Sequence, residues 1–426
     1  MTTRPARRRL APLLLLALAV VTTACQHTTP RAHHRLLAGE VELPQRVVVM
    51  PPFVDAFELD ASNTLVVRQD LARQAERNLR EALDALAHAE PGDGGEAAPG
   101  LPFELVALPR LRAGEDELVR DHVGLFDVTA QAALEASASK SPAWKHRYHR
   151  FEATLGPGLA DLGRRADAEV GLFLSGVAAE PTTGREWKQA LGGPQFYGNH
   201  ELRVGLVELA TGDLLWLTKS RFVEDLLEAE SAEEAREERG ELGGIFADFP
   251  ELDDARARAR GSADPPGAET LAMRAYLVDV PAGWVHKHRR LSEEPLELTR
   301  DGWLLHWVRF DAFTETGALP RTGRRVTESL SRRELVDRIV AEYRANLLNG
   351  EVELVSSGRE LLAGREGFRV HLRAVDYRGL STDQVILGFF DGGRLYALRY
   401  EAPTLSAFER DLELVEEMAR SIRRES

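Results

Sequence analysis

The residue with the clearest potential for covalent chemistry is Cys25, which is the single cysteine among the 426 residues. The thiolate of cysteine is a strong nucleophile, and it is more readily alkylated than the other side chains at neutral pH. Because the chain holds no second cysteine, Cys25 has no partner for a disulfide within the chain. We therefore expect Cys25 to be a modification site, and the residues around it must indicate which modification it receives.

The segment before Cys25 has the three parts of a secretory signal. Arg4 and Arg7–Arg9 supply a basic start, Leu10–Val21 is apolar except for Pro12, and Thr22–Ala24 are small residues. The apolar run is too short for a membrane-spanning helix, which needs about 20 residues. The pattern predicts a signal peptide over residues 1–24 that is removed after export.

The residues Val21-Thr22-Thr23-Ala24-Cys25 resemble the lipobox of bacterial lipoproteins, although the commonest lipobox has leucine where this chain has Thr22. The resemblance implies that Cys25 carries diacylglyceryl and a further acyl chain such as palmitate, and that these anchor the mature protein to a membrane. Gln26 replaces the Asp that resembles an inner-membrane retention signal, which implies an outer-membrane protein facing the periplasm. Residues 25–44 are then a lipidated tether. The alternative is an ordinary secreted protein with an unmodified cysteine.

Two pairs of histidines have spacings that could place two imidazoles on one metal ion. His286 and His288 would share a face of a strand, and His146 and His149 would share a face of a helix. The first pair is flanked by lysine and arginine, which disfavours a cation. The sequence contains no nucleophile elbow, phosphate-binding loop or zinc-protease helix. We predict no catalytic residue, no metal site and no cofactor, with a hydrolase kept as an alternative.

Residues 144–151 combine aromatic and basic side chains. Five of them form a candidate partner patch, which comprises Trp144, Lys145, Arg147, Tyr148 and Arg150. Such a patch could meet an anionic lipid headgroup or a protein, whereas the alternative is a surface helix that packs Trp144 and Phe151 inward. The whole chain has 54 basic and 68 acidic residues and a net charge of −14, which argues against binding to nucleic acid.

Residues 45–223 alternate between strand and helix patterns, which predicts an α/β domain with a mixed sheet. Arg46–Phe53 is a β-branched run that contains two prolines, and residues 65–88 carry apolar side chains three and four apart. Residues 201–222 predict a hairpin around Thr211-Gly212-Asp213. The remaining strands are predicted at 103–108 and 169–177, and the remaining helices at 128–139 and 158–166.

Three segments of this domain resemble a group of bacterial envelope lipoproteins that includes the curli-secretion lipoprotein, the penicillin-binding-protein activator lipoproteins and the TolB amino-terminal domain. They are Val47–Phe53, Ala166–Gly176 and Leu206–Trp216. The alternative is a generic α/β domain with the same hairpin. We interpret the hairpin turn as structural, because glycine supplies the positive φ that a tight turn needs.

Residues 224–270 change character, because glutamates crowd a stretch that is interrupted at Gly240 and followed by Pro265-Pro266-Gly267. This composition predicts an acidic, partly helical linker. A docking site for a basic partner is the alternative to a solvated surface.

Residues 271–426 predict an α+β domain with an antiparallel sheet. Strands are predicted at 273–280, 296–299 and 303–310, a helix from Ser331 to about Leu348, four strands between 351 and 401, and a helix over 405–422. The segments Pro281–Trp284, Leu361–Phe368 and Leu395–Pro403 resemble the PsbP-like family. That resemblance implies an assembly or binding factor without an active site of its own.

Taken together, these patterns predict a membrane-anchored, periplasm-facing lipoprotein. Its expected function is that of a non-catalytic binding or adaptor protein in envelope assembly, secretion or maintenance, with an envelope protein as its partner. The alternative is an oligomeric component of a secretion or pore complex.

Overall fold

The computed structural model of the chain describes residues 31–42, 44–59, 65–88, 101–138, 142–147, 150–181, 199–221, 223–246, 249, 265–287, 294–314, 318–346, 351–376 and 379–425. The predicted signal peptide over 1–24 and the predicted modification site Cys25 lie outside these residues, as do Tyr148, His149 and His288. No described helix is both long enough and apolar enough to cross a membrane.

The amino-terminal domain is built on one mixed sheet. Its strands are β1 (Arg31–His33), β2 (Arg46–Val49), β3 (Phe53–Leu59), β4 (Leu65–Val67), β5 (Glu104–Val106), β6 (Arg150–Phe151), β7 (Val170–Pro181), β8 (Asn199–Glu208) and β9 (Leu214–Ser220). They follow the order β4-β3-β7-β8-β9-β1-β6, and β2 pairs with both β7 and β5. The central strand β7 is parallel to β2 and β3 and antiparallel to β8.

The run Arg46–Phe53 predicts a single strand, but in the structure it contains the whole of β2 and the first residue of β3. Pairing with β7 stops at Val49, opposite Leu172, and resumes at Phe53, opposite Ser175. Pro51 and Pro52 lie in this gap, and they interrupt the pairing because proline has no N–H to donate to the ladder. β3 is therefore a second strand along the same neighbour.

Helices cover both faces of this sheet. They are α1 (His34–Ala38), α2 (Gln69–Ala87), α3 (Glu115–Ala138), a 3-10 helix (Pro142–Arg147), α4 (Ala160–Ala166), α5 (Glu224–Glu228), α6 (Ala232–Glu237) and α7 (Arg239–Phe246). Successive residues of β7 point to opposite faces. Leu172 and Leu174 contribute to the core under α2, whereas Phe173 contributes to the core under α3.

Residues 31–38 are part of the folded amino-terminal domain. β1 is antiparallel to β9 and parallel to β6, and Ala32 and Leu36 are buried in the core. Arg35 donates to the Glu208 carboxylate at 2.7 Å and to the Asp213 carboxylate at 2.5 Å, which fixes α1 against the β8–β9 turn. The prediction of a tether over 25–44 is therefore wrong for this part of it.

Residues 224–246 are part of the same domain. Their three helices pack on α2 through six buried apolar residues, which are Leu226, Leu227, Ala235, Leu242, Ile245 and Phe246. Asn78 of α2 donates to the carbonyls of Leu227 at 3.2 Å and Ala229 at 2.9 Å. The prediction of a linker over 224–270 is wrong for these residues, whose glutamates lie mostly on the outer surface.

The carboxyl-terminal domain contains a seven-stranded antiparallel sheet with the order β12-β13-β14-β18-β17-β16-β15 and a small sheet with the order β10-β11-β19. The strands are β10 (Glu269–Met273), β11 (Tyr276–Val280), β12 (Val285–His286), β13 (Leu296–Thr299), β14 (Trp307–Thr314), β15 (Glu351–Leu362), β16 (Arg365–Val375), β17 (Ser381–Asp391), β18 (Arg394–Pro403) and β19 (Arg423–Arg424). The predicted strand over 303–310 begins only at Trp307, because 303–305 form a turn that leaves Leu304 exposed.

One helix packs on each face of the seven-stranded sheet. α8 (Arg332–Asn346) covers a core that includes Val370 and Ile386. A π-helical turn (Thr404–Phe408) leads into α9 (Glu409–Ser421), which covers the opposite core. The predicted fold class is confirmed, since a mixed-sheet α/β domain is followed by an antiparallel-sheet α+β domain.

The two domains contact each other along α3. Leu305 and Leu380 of the α+β domain lie in the same core as Phe126 of α3. Gly302 has a φ of +131°, and a Cβ added to it would lie 2.8 Å from the Cβ of Ala132. This close packing requires glycine at position 302, and it brings charged residues of both domains together.

Candidate functional site

A group of charged side chains lies at this domain junction, and we name it the junction cluster. It comprises Arg147, Arg300, Asp301, His306, Arg410 and Asp411. The 3-10 helix of the first domain supplies Arg147, and the turn after β13 supplies Arg300 and Asp301. His306 immediately precedes β14, and the first turn of α9 supplies the last two residues.

The carboxylate of Asp301 joins the two domains. One of its oxygens accepts a hydrogen bond from Arg147 of the first domain at 2.6 Å, and the other accepts from Arg410 of the second at 2.5 Å. Arg410 also donates to Asp411 at 2.5 Å, and Arg300 donates to the other oxygen of Asp411 at 2.9 Å. Each buried carboxylate is therefore held by two arginines.

Protonation at the cluster is controlled by burial and by these arginines. Burial raises the pKa of Asp301, but the charges of Arg147 and Arg410 outweigh it and hold that pKa well below its usual range. His306 lies between Trp284, which stacks on it, and Asp411, whose carboxylate is 3.2 Å from its Nε2. Burial lowers the pKa of His306 to about 4 in spite of the nearby carboxylates.

The lowered pKa of His306 predicts that the protein loses stability as the pH falls. The unfolded chain binds a proton on this histidine below a pH of about 6.5, whereas the folded chain does so only below about 4. The unfolded state therefore binds more protons in this window, which lowers the free energy of unfolding by up to roughly 3 kcal/mol on this account. Chemical denaturation of the wild type and of His306→Gln between pH 7 and pH 4 measures the effect.

The variant is expected to lose less stability than the wild type over that range, whatever its stability at pH 7. The comparison is needed because His33 and His122 are also buried with lowered pKa values. If the free energy of unfolding falls equally with pH in the two proteins, His306 is not the source of the pH dependence.

The junction cluster also contains three groups of the kind that bind metals. The ligand atoms of Asp301, His306 and Asp411 all lie within 4.8 Å of one another. However, the three arginines already neutralise both carboxylates, and a metal ion would have to displace their hydrogen bonds while lying beside their charges. The arrangement is suited to fixing the two domains against each other.

Of the candidate partner patch, the structure describes the side chains of Trp144 and Arg147, and neither is exposed. Trp144 is buried against Ala136 and Val285, and Arg147 belongs to the junction cluster. Tyr148 and the side chains of Lys145 and Arg150 lie outside the described residues. The alternative prediction, in which the tryptophan packs inward, is confirmed for Trp144.

The two predicted histidine pairs are described only in part. His286 lies 3.8 Å from the Glu269 carboxylate, and His146 stacks near Trp144 with 6.1 Å between ring centroids, but their partners His288 and His149 lie outside the described residues. Two further groups with metal-binding side chains include acidic residues of the segment 224–241, where the sequence predicts only a linker. They are His200 with Glu224 and Glu228, and Asp225 with Glu238 and Glu241.

The sheet of the α+β domain holds a histidine, an aspartate and a hydroxyl in contact. Nε2 of His371 lies 2.7 Å from Asp383, and the Thr404 hydroxyl donates to the other oxygen of the same carboxylate at 2.7 Å. A nucleophilic triad needs the histidine between the acid and the hydroxyl, so that it can remove the proton. Here the carboxylate stands between them, and the arrangement does not activate the threonine.

A scan against protein-family models and a search of curated proteins find no match to the chain. Among solved structures, similarity is found to cyanobacterial PsbP from Synechocystis, with 11% identity, a TM-score of 0.28, and coverage of 37% of this chain and 93% of that one. Similarity is also found to the Ran-binding protein Mog1p of Saccharomyces cerevisiae, with 9% identity, a TM-score of 0.27, and coverage of 37% of this chain and 96% of that one.

A cell-envelope biogenesis protein of Mycobacterium tuberculosis, LpqN, is also similar, with 10% identity, a TM-score of 0.20, and coverage of 38% of this chain and 86% of that one. At these TM-scores the similarities carry no argument about function.

Proposed function

We propose that the chain is a lipid-anchored binding protein of the bacterial envelope. On this proposal it is held at the outer membrane through Cys25, faces the periplasm, and binds an envelope protein through strand β15 without catalysing a reaction. The anchor and the compartment are supported by the sequence of residues 1–26. The binding role is supported by one feature of the fold, which is the outer edge of β15.

β15 is the last strand of the seven-stranded sheet. It pairs with β16 on one side and with no other described strand. Most of its 12 residues are exposed, including the apolar side chains of Leu354, Val355 and Leu361, of which the last is 69% exposed. A free strand edge of this length is a template for a further strand, and proteins use such edges to bind extended segments.

The charges of β15 indicate which kind of segment it would bind. The strand carries three glutamates, at 351, 353 and 360, and one arginine, Arg359, which lies 3.4 Å from the Glu366 carboxylate. A second copy of β15 would bring three more glutamates to the edge, and like charges across a strand pair are destabilising. An extended segment with basic and apolar residues, supplied by another envelope protein, is the complementary partner.

A bulge limits where that partner can align. The register between β15 and β16 shifts between Leu354 and Ser356 and is regular from Ser356 to Leu362. Because a bulge bends and twists its strand, a partner strand must follow this bend, and the whole outer edge from 351 to 362 is the proposed docking surface.

Photo-crosslinking in cells tests this surface. A photoreactive residue at position 361 is expected to give a discrete adduct with one envelope protein, whereas the same residue at position 304 should not. Leu304 is a matched control because it is 46% exposed and does not lie on β15. The adduct should be reduced about tenfold, equivalent to roughly 1.4 kcal/mol of binding, by Val355→Lys in the photoreactive chain, because this change removes an apolar contact and places a positive charge beside the basic segment.

The substitution is expected to leave folding intact, because exposed positions usually change stability by less than about 0.5 kcal/mol. Equal crosslinking at positions 361 and 304 would refute the docking surface. An adduct between two copies of this chain would replace the proposed partner with self-association.

A further inference from the structure

We propose that His200, Glu224 and Glu228 form a binding site for one divalent first-row transition metal ion, with zinc as the best-suited ion. The Nε2 atom of His200 lies 3.0 Å from a carboxylate oxygen of Glu228. One ligand atom from each of the three residues lies within 4.8 Å of the other two. This site is distinct from both the junction cluster and strand β15.

The three ligands are held by two elements with fixed positions. His200 is the second residue of β8, and its side chain is only 3% exposed. Glu224 and Glu228 are the first and last residues of α5, and a spacing of four places them on one side of a helical turn. The imidazole therefore lies beneath two carboxylates that reach solvent, which gives an ion a path to the site.

α5 is anchored so that the glutamates are presented in one orientation. Its residues Leu226 and Leu227 are buried against α2. Gln74 and Asn78 of α2 donate to the carbonyl of Ala229 at 2.8 Å and 2.9 Å, just beyond the end of the helix. Because these contacts already hold α5 in place, metal binding would cost less conformational entropy.

The charges around the site favour a cation. Neither Glu224 nor Glu228 forms an ion pair with a lysine or an arginine of the described residues, in contrast to the acids of the junction cluster. Asp225 also belongs to a second group of carboxylates with Glu238 and Glu241. The pKa of Glu228 is raised by burial and by the charges of Glu224 and Asp225, which is repulsion that a bound cation would relieve.

The ligand types select the class of ion. Imidazole nitrogen together with carboxylate oxygen is a donor set that zinc accepts in tetrahedral coordination. Magnesium binds mainly through oxygen and keeps several of its waters, so it gains little from a buried imidazole. Three protein ligands leave zinc a fourth position on the solvent side, which water or a group of a bound partner can fill.

Metal titration of the full mature protein in detergent tests the site. Isothermal titration with ZnCl₂ is expected to show one site per chain, and MgCl₂ is expected to bind far more weakly. The double variant E224Q/E228Q changes two exposed residues and should bind zinc at least about tenfold more weakly, since even residues behind the ligands change metal affinity by about 10–100-fold. His200→Gln should have the same effect.

A matched control separates a site from general acidity. Glu233 and Glu237 of α6 are also exposed and four residues apart, so E233Q/E237Q removes the same charge from a neighbouring helix. This control should bind zinc like the wild type. An equal loss in both double variants, or no loss in E224Q/E228Q, would overturn the proposal.

Discussion

Asp301→Ala is expected to lower the free energy of unfolding by about 3–5 kcal/mol, because removing one member of a buried ion pair leaves its partners charged and unsatisfied. The carboxylate accepts hydrogen bonds from Arg147 and Arg410. Arg147 is only 13% exposed, so it cannot recover its hydration without moving out of the junction. The substitution therefore removes stabilising contacts from both domains.

Calorimetry can detect this coupling between the domains. The wild type is expected to unfold in one transition, because the domains share a core along α3 as well as the cluster. Asp301→Ala should separate the transition into two, with the less stable domain unfolding first. Calorimetry thus measures how much stability is lost and shows whether the loss uncouples the two domains.

Asp161→Ala is the control for Asp301→Ala. Asp161 is half exposed and pairs with Arg112 at 3.0 Å and with Arg164 at 2.7 Å. Surface pairs of this kind contribute about 0–1 kcal/mol, so its loss should be small. If both variants lower the free energy of unfolding by the same small amount, the junction cluster does not hold the domains together.

The sequence predicts the α+β domain more completely than the α/β domain, and the reason is physical. Each strand from β15 to β18 is ten to twelve residues long. Strands of this length give a clear signal, and turns such as Asp391-Gly392-Gly393 separate them. The glycines of that turn adopt positive φ, as such hairpins require.

The two incorrect segments of the first domain are short elements. β1 has three residues and α5 has five, so neither is long enough to show a period. In residues 224–246 the glutamates dominate the composition, while the buried apolar residues are shared among three helices. Contact with α2 stabilises these helices, and that contact is not visible in local sequence.

The junction cluster could not be predicted for a different reason. Arg147, Asp301 and Arg410 are separated by more than 100 residues along the chain. The sequence predicts strands on both sides of 300–302 and a helix that includes Arg410, but only the fold brings Asp301 and Arg410 to the 3-10 helix. His200 and Glu228 likewise meet only because β8 and α5 are neighbours in space.

Cys25→Ser is expected to prevent lipid attachment and, once the signal peptide is removed, to release the protein from the membrane fraction almost completely. Each buried methylene contributes about 0.8 kcal/mol to membrane binding, and a single myristoyl chain gives an association constant of only about 10⁴ M⁻¹. Three acyl chains on one cysteine would therefore give a durable anchor. No helix of the described residues is long and apolar enough to cross the bilayer.

The experiment must remove the signal peptide independently, because an uncleaved signal can itself hold a protein at the membrane. Residues 1–24 are therefore replaced by a cleavable secretory signal that needs no cysteine, in chains that carry Cys25→Ser or Cys25→Ala. Both variants should be found in the soluble periplasmic fraction, whereas the native chain should incorporate labelled palmitate and remain with the outer membrane. If the processed Cys25→Ser chain still fractionates with the membrane, Cys25 is not the anchor, and the attachment must come from the folded domains or from another protein that they bind.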